Sequence, residues 1–229
     1  HLSLRRQRQM CIRDSYKTIS SDDPRIVVLE FKKNFPMALM FMRLQEYTEG
    51  IKAMRGNILS EGDSLLAYYK KRKEIWYKSG WAGFNLRGDT LSKIYRNVSE
   101  FETTLWNNLE EQLWGIFYKL YREHGQNCYI VSYIKGDKTT LRHELHHAKY
   151  YLNREYREAV DKLLSKRKHK KARKYLEKLG YSLNGKGGKY IFRDEIQAYH
   201  SEKHKPTTKA LGLTKEEQKK LLKLSKQYL

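Results

Sequence analysis

Leu141 to Asn153 reads LRHELHHAKYYLN, and His143-Glu144-Leu145-His146-His147 within it forms an HExxH pattern. On a helix, His143 and His147 lie at i and i+4, one turn apart on one face. Two imidazole nitrogens can then converge on one zinc ion, with Glu144 beside them to handle a proton. With 8 His and 18 Glu in 229 residues, composition alone supplies roughly 0.02 accidental matches. Upstream, Cys128 to Ile134 (CYIVSYI) is β-branched and aromatic and predicts a short strand. Gly136 to Thr140 then supplies a turn with Thr140 as N-cap. Leu141, Leu145, Ala148 and Leu152 form an apolar stripe at helical spacing that would lock the histidine rotamers by packing. The competing reading is a surface helix carrying three solvated histidines.

Catalytic zinc sites usually take three protein ligands and leave the fourth position to water, so a third donor is required. The metzincin arrangement, HExxHxxGxxH, is excluded because Tyr150 stands where the glycine belongs and Asn153 where the third histidine belongs. The remaining candidates are Glu155, Glu158, Asp161 and Glu195. Glu155 and Glu158 lie in NREYREAVDKLL, which reads as an amphipathic helix with its charges on the wet face. Glu195 sits in YIFRDEIQAYH, where a carboxylate in an otherwise apolar segment needs a partner.

HELHHAKYYLN together with DEIQAY resembles the gluzincin-type arrangement of zinc metallopeptidases, in which a glutamate on a later helix completes the HExxH site. Upstream, FMRLQEYTEG and GWAGFN are similar to segments of an uncharacterised zincin-like family of bacteria and large DNA viruses. The likeness covers most of residues 35 to 204. It implies His143, His147 and Glu195 as metal ligands, Glu144 as general base, and Zn2+ as the cofactor. The spacing from His147 to Glu195 is longer than in the shortest gluzincins, with a basic helix inserted between the motifs.

Zinc in such a site supplies Lewis acidity, bringing the pKa of water down to about 7. Glu144 would take the water's proton and pass it to the leaving amine, which is peptide-bond hydrolysis. Tyr199, four residues after Glu195, either donates to the developing oxyanion or caps the core with a wet hydroxyl. His146 lies about 100° round the helix from its neighbour His147 and is not expected to share the ion. His200 and His204 read as a solvated helix end ahead of Pro206, and His124 with Cys128 as a loop entering the strand. His169, inside KRKHKKARK, reads as part of a charged face.

A hydrophobic fraction of 39% with 32% charged residues fits one globular domain, and no apolar run reaches the eighteen residues of a membrane span. With two cysteines and no secretory signal of the usual form, the expected compartment is reducing and cytoplasmic. The first fifteen residues, HLSLRRQRQMCIRDS, resemble translated sequencing-adapter read-through and are set aside as a non-native scar. Net charge is +21, and from Asp161 to Leu229 there are 20 Lys and Arg against 7 Asp and Glu. Such a field attracts nucleic acid or another polyanion.

Along the chain, Pro36 and Met37 to Glu49 predict a helix stopped by Gly50, and Ser60 to Asp63 opens another. IWYKSGWAGFN predicts an irregular aromatic segment that packs on the core or lines a cleft. A capping box, Ser99 to Glu102, predicts a long helix to about Glu123. After the metal helix come a helix over Arg154 to Lys178, a short strand at Lys189 to Phe192, and a DEIQAY helix. Pro206 to Thr208 reads as a linker, followed by a helix capped by Thr214 and Glu217. The expected fold is α+β, mostly α: a zincin-like helical domain over 16–205 with a small β-sheet next to the HExxH helix, then a basic C-terminal helix over 206–229. The expected function is zinc-dependent peptide hydrolysis on a peptide or protein substrate, with no membrane partner. The alternative is a basic nucleic-acid-binding protein whose metal site is structural or absent.

Overall fold

IVVLEF and YIVSYI become the two central strands of a four-stranded sheet, with nearly every residue of YIVSYI buried. The computed structural model describes residues 15–49, 82–98, 106–165, 169–179, 187–202 and 205–228, and positions 56, 58, 60, 62–64, 66, 70, 181, 183 and 184. β1 (Tyr16–Ile19), β2 (Ile26–Phe31), β3 (Gly83–Arg87) and β4 (Tyr129–Ile134) lie in the order β1-β2-β4-β3. β2 and β4 are parallel, with Ile26 opposite Tyr129 and Phe31 opposite Ile134; the outer strands run antiparallel to their neighbours. Continuous apolar runs are what a parallel pair covered on both faces demands. Helices nonetheless dominate, so the architecture is α+β and mostly α.

The chain divides into two compact units, His1–Lys138 and Thr139–Leu229. The first holds the sheet with α1 (Asn34–Glu49), α2 (Gly88–Val98) and α3 (Asn108–His124). Pro36 sits in the first turn of α1, where its missing N–H breaks no intrahelical bond. From Met37 to Tyr47 α1 is buried on almost every side, Arg43, Gln45 and Glu46 included, as a helix apolar nearly all round must be. Phe41 stacks on Phe84 of β3 with ring centroids 5.7 Å apart. Arg43 donates through Nε to Glu110 Oε1 at 2.8 Å and through a terminal nitrogen to Glu110 Oε2. Glu110 also accepts the Asn107 N–H at 3.0 Å, while the Asn107 side chain accepts from Leu109 and Glu110, so α3 starts under its own capping box. The box expected at Ser99 to Glu102 lies outside the described residues, as do 75–81 of the aromatic segment; Gly83 and Phe84 of that segment belong to β3.

The second unit is built from α4 (Lys138–Leu152), α5 (Arg154–Leu164), α6 (Lys170–Lys178), α7 (Gly188–Ser201), α8 (Lys205–Leu211) and α9 (Lys215–Tyr228), α4 beginning at the boundary residue. Its core joins Tyr150, Tyr156, Val160, Leu163, Leu176, Ile196 and Leu221, and α7 touches α5, α6, α8 and α9. Five features of this unit differ from the sequence expectation. The helix expected over Arg154 to Lys178 is two helices, and His169, placed beforehand on a charged face, is buried between them with Nε2 donating to the Leu164 carbonyl at 3.1 Å. Residues Lys189 to Phe192 form the start of α7 and not a strand: helical spacing lets Tyr190 pack on Tyr150, rings 5.1 Å apart, and contact overrides β propensity. Pro206 lies in the first turn of α8, where proline suits a helix, so this stretch is no linker. Thr140 does not cap α4, which begins at Lys138 directly after the left-handed Gly136 turn (φ 89°). The Thr214–Glu217 box is present, each side chain accepting the other's backbone N–H. Among the described residues no helix is long and apolar enough to cross a membrane.

Candidate metal centre

The face that α4 buries is the histidine face. His143, His146 and His147 are 8%, 2% and 4% exposed, whereas Leu141 and Leu145, expected to lead the apolar stripe, are only partly covered. His143 Nε2 and His147 Nε2 stand 3.0 Å apart. Glu195, 6% exposed on α7, brings Oε2 to 4.0 Å from the first and 3.8 Å from the second. A point equidistant from the corners of a triangle with these sides lies about 2.1 Å from each, the length of zinc bonds to imidazole and carboxylate. The three residues therefore fit a zinc ion by both donor type and spacing. α7 can start where it does because residue 188 is glycine: a Cβ there would fall 2.0 Å from the Leu183 carbonyl oxygen.

The far side of each ring explains why the near sides converge. His147 Nδ1 lies 2.8 Å from Asp194 Oδ1, and His143 Nδ1 lies 2.9 Å from Glu202 Oε1, the latter an ion-pair contact without hydrogen-bond alignment. A carboxylate accepts only, so Asp194 holds His147 Nδ1 as the protonated nitrogen and, in the neutral ring, Nε2 keeps the lone pair. Two lone pairs 3.0 Å apart repel unless a proton or a cation lies between them. Asp194 is itself fixed: Gln197 donates to it at 3.0 Å and to the His146 carbonyl at 3.2 Å, while Tyr156 donates to Gln197 at 2.8 Å. Burial pushes the His147 imidazolium down, but Asp194, then Glu195 and Glu144, more than offset it and hold its pKa well above the ordinary histidine range. Glu144 is buried, at 7% exposure, and acts on His147 through its charge.

His146 takes no part in the cluster, as its helical angle predicts. Its Nδ1 donates to the Arg142 carbonyl at 2.8 Å and its Nε2 accepts from Ser225 of α9 at 2.9 Å, and burial pushes it down to about 3. Tyr199 sets its ring edge-on to His143 at 4.6 Å with its hydroxyl 3.3 Å from that of Tyr181. Burial, then Glu195, pushes the Tyr199 phenol up, so it stays a proton donor. The other carboxylates considered lie elsewhere: Glu158 pairs with Arg154 at 2.6 Å in the open, Glu155 is exposed, and Asp161 accepts from Tyr150 at 2.6 Å and pairs with Arg193. Of the other histidines, His200 is partly covered and lowered by burial, and His204 lies outside the described residues. Cys128 is a buried free thiol beside the Gly125 carbonyl.

Sequence reasoning missed Asp194 and Glu202. A signal existed for each: Asp194 completes the acidic pair in an apolar segment, and Glu202 follows Glu195 by seven residues, two turns along the same face. Comparison with family models, with curated proteins and with solved structures finds no match to this chain.

Proposed function

We propose that the protein is a zinc-dependent metallopeptidase whose site lies wholly within Thr139–Leu229, with His143, His147 and Glu195 as ligands and Glu144 as general base. The observation that carries this reading is the convergence of two Nε2 atoms and one carboxylate oxygen, with a second carboxylate behind each ring. When bound there, zinc supplies Lewis acidity that acidifies water and polarises a carbonyl. Asp194 holds the His147 imidazole in the ligating tautomer, and Glu202 places its negative charge beside the His143 ring. Glu144, on the same helix one residue after His143, takes the proton of the attacking water as its oxygen bonds to the scissile carbon. It then gives that proton to the departing amine nitrogen as the C–N bond breaks. Tyr199 holds the His143 ring from the side. The free Cys128 thiol accords with a reducing compartment, and we place the protein in the cytoplasm.

The test is metal analysis of the purified protein, paired with hydrolysis of a mixed-sequence fluorogenic peptide pool. Stoichiometric zinc in the wild type and in Glu144→Gln, with hydrolysis only in the wild type, is expected. Absence of zinc in the wild type, or equal hydrolysis by both, would overturn the proposal.

A further inference from the structure

The basic C-terminal third has a distribution of charge that composition alone hides. All seven acids from Asp161 onward are accounted for within the second unit. Asp194, Glu195 and Glu202 face the histidines, Asp161 serves Tyr150 and Arg193, and Glu217 is buried in its capping box 3.7 Å from His169. Glu177 and Glu216 are the most exposed of the seven, and each is matched on its own helix, by Arg173 and Lys220. Lysines and arginines therefore outnumber acids 20 to 7 from Asp161 onward, and most of those acids are engaged within the fold.

Four of the lysines are ordered in a row. Lys215, Lys219, Lys223 and Lys226 are exposed on α9 and fall within an arc of about 80°, opposite the buried Glu217 and Leu221, along about 16 Å of helix. Beside this row lies an open cleft of about 720 Å³ formed by α7, α8 and α9. Lys209 and Lys219 line it, with His200 on one wall and Leu213 and Leu222 as apolar surface. The stem of Lys171 lies over Gly212 at the same cleft, where a Cβ would come within 2.9 Å of its Cδ. That volume is in the range of sites that take a small planar ligand.

We propose that this face binds single-stranded nucleic acid, the α9 lysines taking successive phosphates and the cleft taking one unstacked base. Charge complementarity selects a polyanion, and the cleft selects one with exposed bases: a duplex keeps its bases stacked and can use only the lysine row. The inference is independent of the metal, since neither the row nor the cleft contains a ligand residue.

Fluorescence polarisation of the full chain with a labelled 20-nucleotide single-stranded DNA tests it, with a duplex of equal length and inorganic polyphosphate as competitors. Four neutralised phosphates predict a slope of about −3 in log affinity against log salt, so affinity falls roughly fiftyfold from 50 to 200 mM. The single strand is expected to bind more tightly than the duplex and to resist polyphosphate of equal charge. The Lys215→Glu, Lys219→Glu, Lys223→Glu, Lys226→Glu variant is expected to lose at least a hundredfold. Leu222→Glu, a change at an exposed position, is expected to lose about tenfold on the single strand and less than twofold on the duplex, with its melting temperature unchanged. Equal affinity for duplex and single strand, equal displacement by polyphosphate, or no binding by the wild type at 50 mM salt would overturn the proposal; the salt slope needs no variant.

Discussion

In the first unit Arg43 and Glu110 are 2% and 0% exposed and answer each other through paired hydrogen bonds. In the second, two imidazoles share a buried pocket with Asp194, Glu195, Glu202 and Glu144. One plus charge meets one minus charge in the first pair, and Glu110 spends its remaining capacity on the Asn107 N–H. The second cluster sets four carboxyl groups around two imidazoles whose ring nitrogens crowd at 3.0 Å. Buried charge is tolerated where it is paired or bound to metal. The first pair is complete as it stands; in the second, three ligand atoms meet with the spacing that the proposed zinc ion would take.

The comparison breaks most decisively if ligand removal leaves metal binding intact. His143→Ala and Glu195→Ala are each expected to reduce bound zinc from about one per chain to none by mass spectrometry, since a two-ligand remnant holds zinc poorly; retention in Glu195→Ala would move the third ligand elsewhere. Glu144→Gln is expected to keep zinc and lose hydrolysis by about 10²–10⁴-fold in single-turnover assays, the usual contribution of a positioned proton acceptor. Arg43→Met strands the Glu110 carboxylate and should lower stability in urea by about 3–5 kcal/mol with zinc content unchanged; a loss under 1 kcal/mol would show that the pair is not buried as described. Asp194→Ala, which removes the acceptor behind His147, is expected to weaken zinc about 10–100-fold in competitive chelator titrations.

The smallest effect is a pH dependence of opposite sign with and without metal. The raised folded-state pKa of His147 contributes stability to the metal-free protein below the unfolded value of about 6.5, lost as pH rises through the folded value. Zinc must displace that proton, so its affinity strengthens over the same rise. Melting curves at several pH values should therefore diverge, the metal-free midpoint falling while the gap to the zinc-loaded one widens. Parallel curves would mean that His147 holds no such proton.

His143 and His147 were legible because a four-residue spacing on a helix fixes a shared face without any knowledge of tertiary structure. Glu195 was legible as an acid out of place among apolar neighbours. Asp194 and Glu202 were not, because which edge of an imidazole a carboxylate meets depends on how α7 crosses α4, and no local period encodes that. β4 could be read from its β-branched run, but β1 and β2 could not be assigned, since IVVLEF is short and lacks alternation. His169 was misread for the same reason as the strand at Lys189: its sequence neighbours are charged, while its spatial neighbours, the Leu164 carbonyl and Phe192, bury it.

X-ray absorption at the zinc edge of the purified, zinc-loaded protein bears most directly on the convergence of these side chains. The account predicts a shell of two imidazole nitrogens and light oxygen donors at about 2.0–2.2 Å, with no sulfur. A spectrum without imidazole scattering, or with a thiolate in the shell, would contradict it.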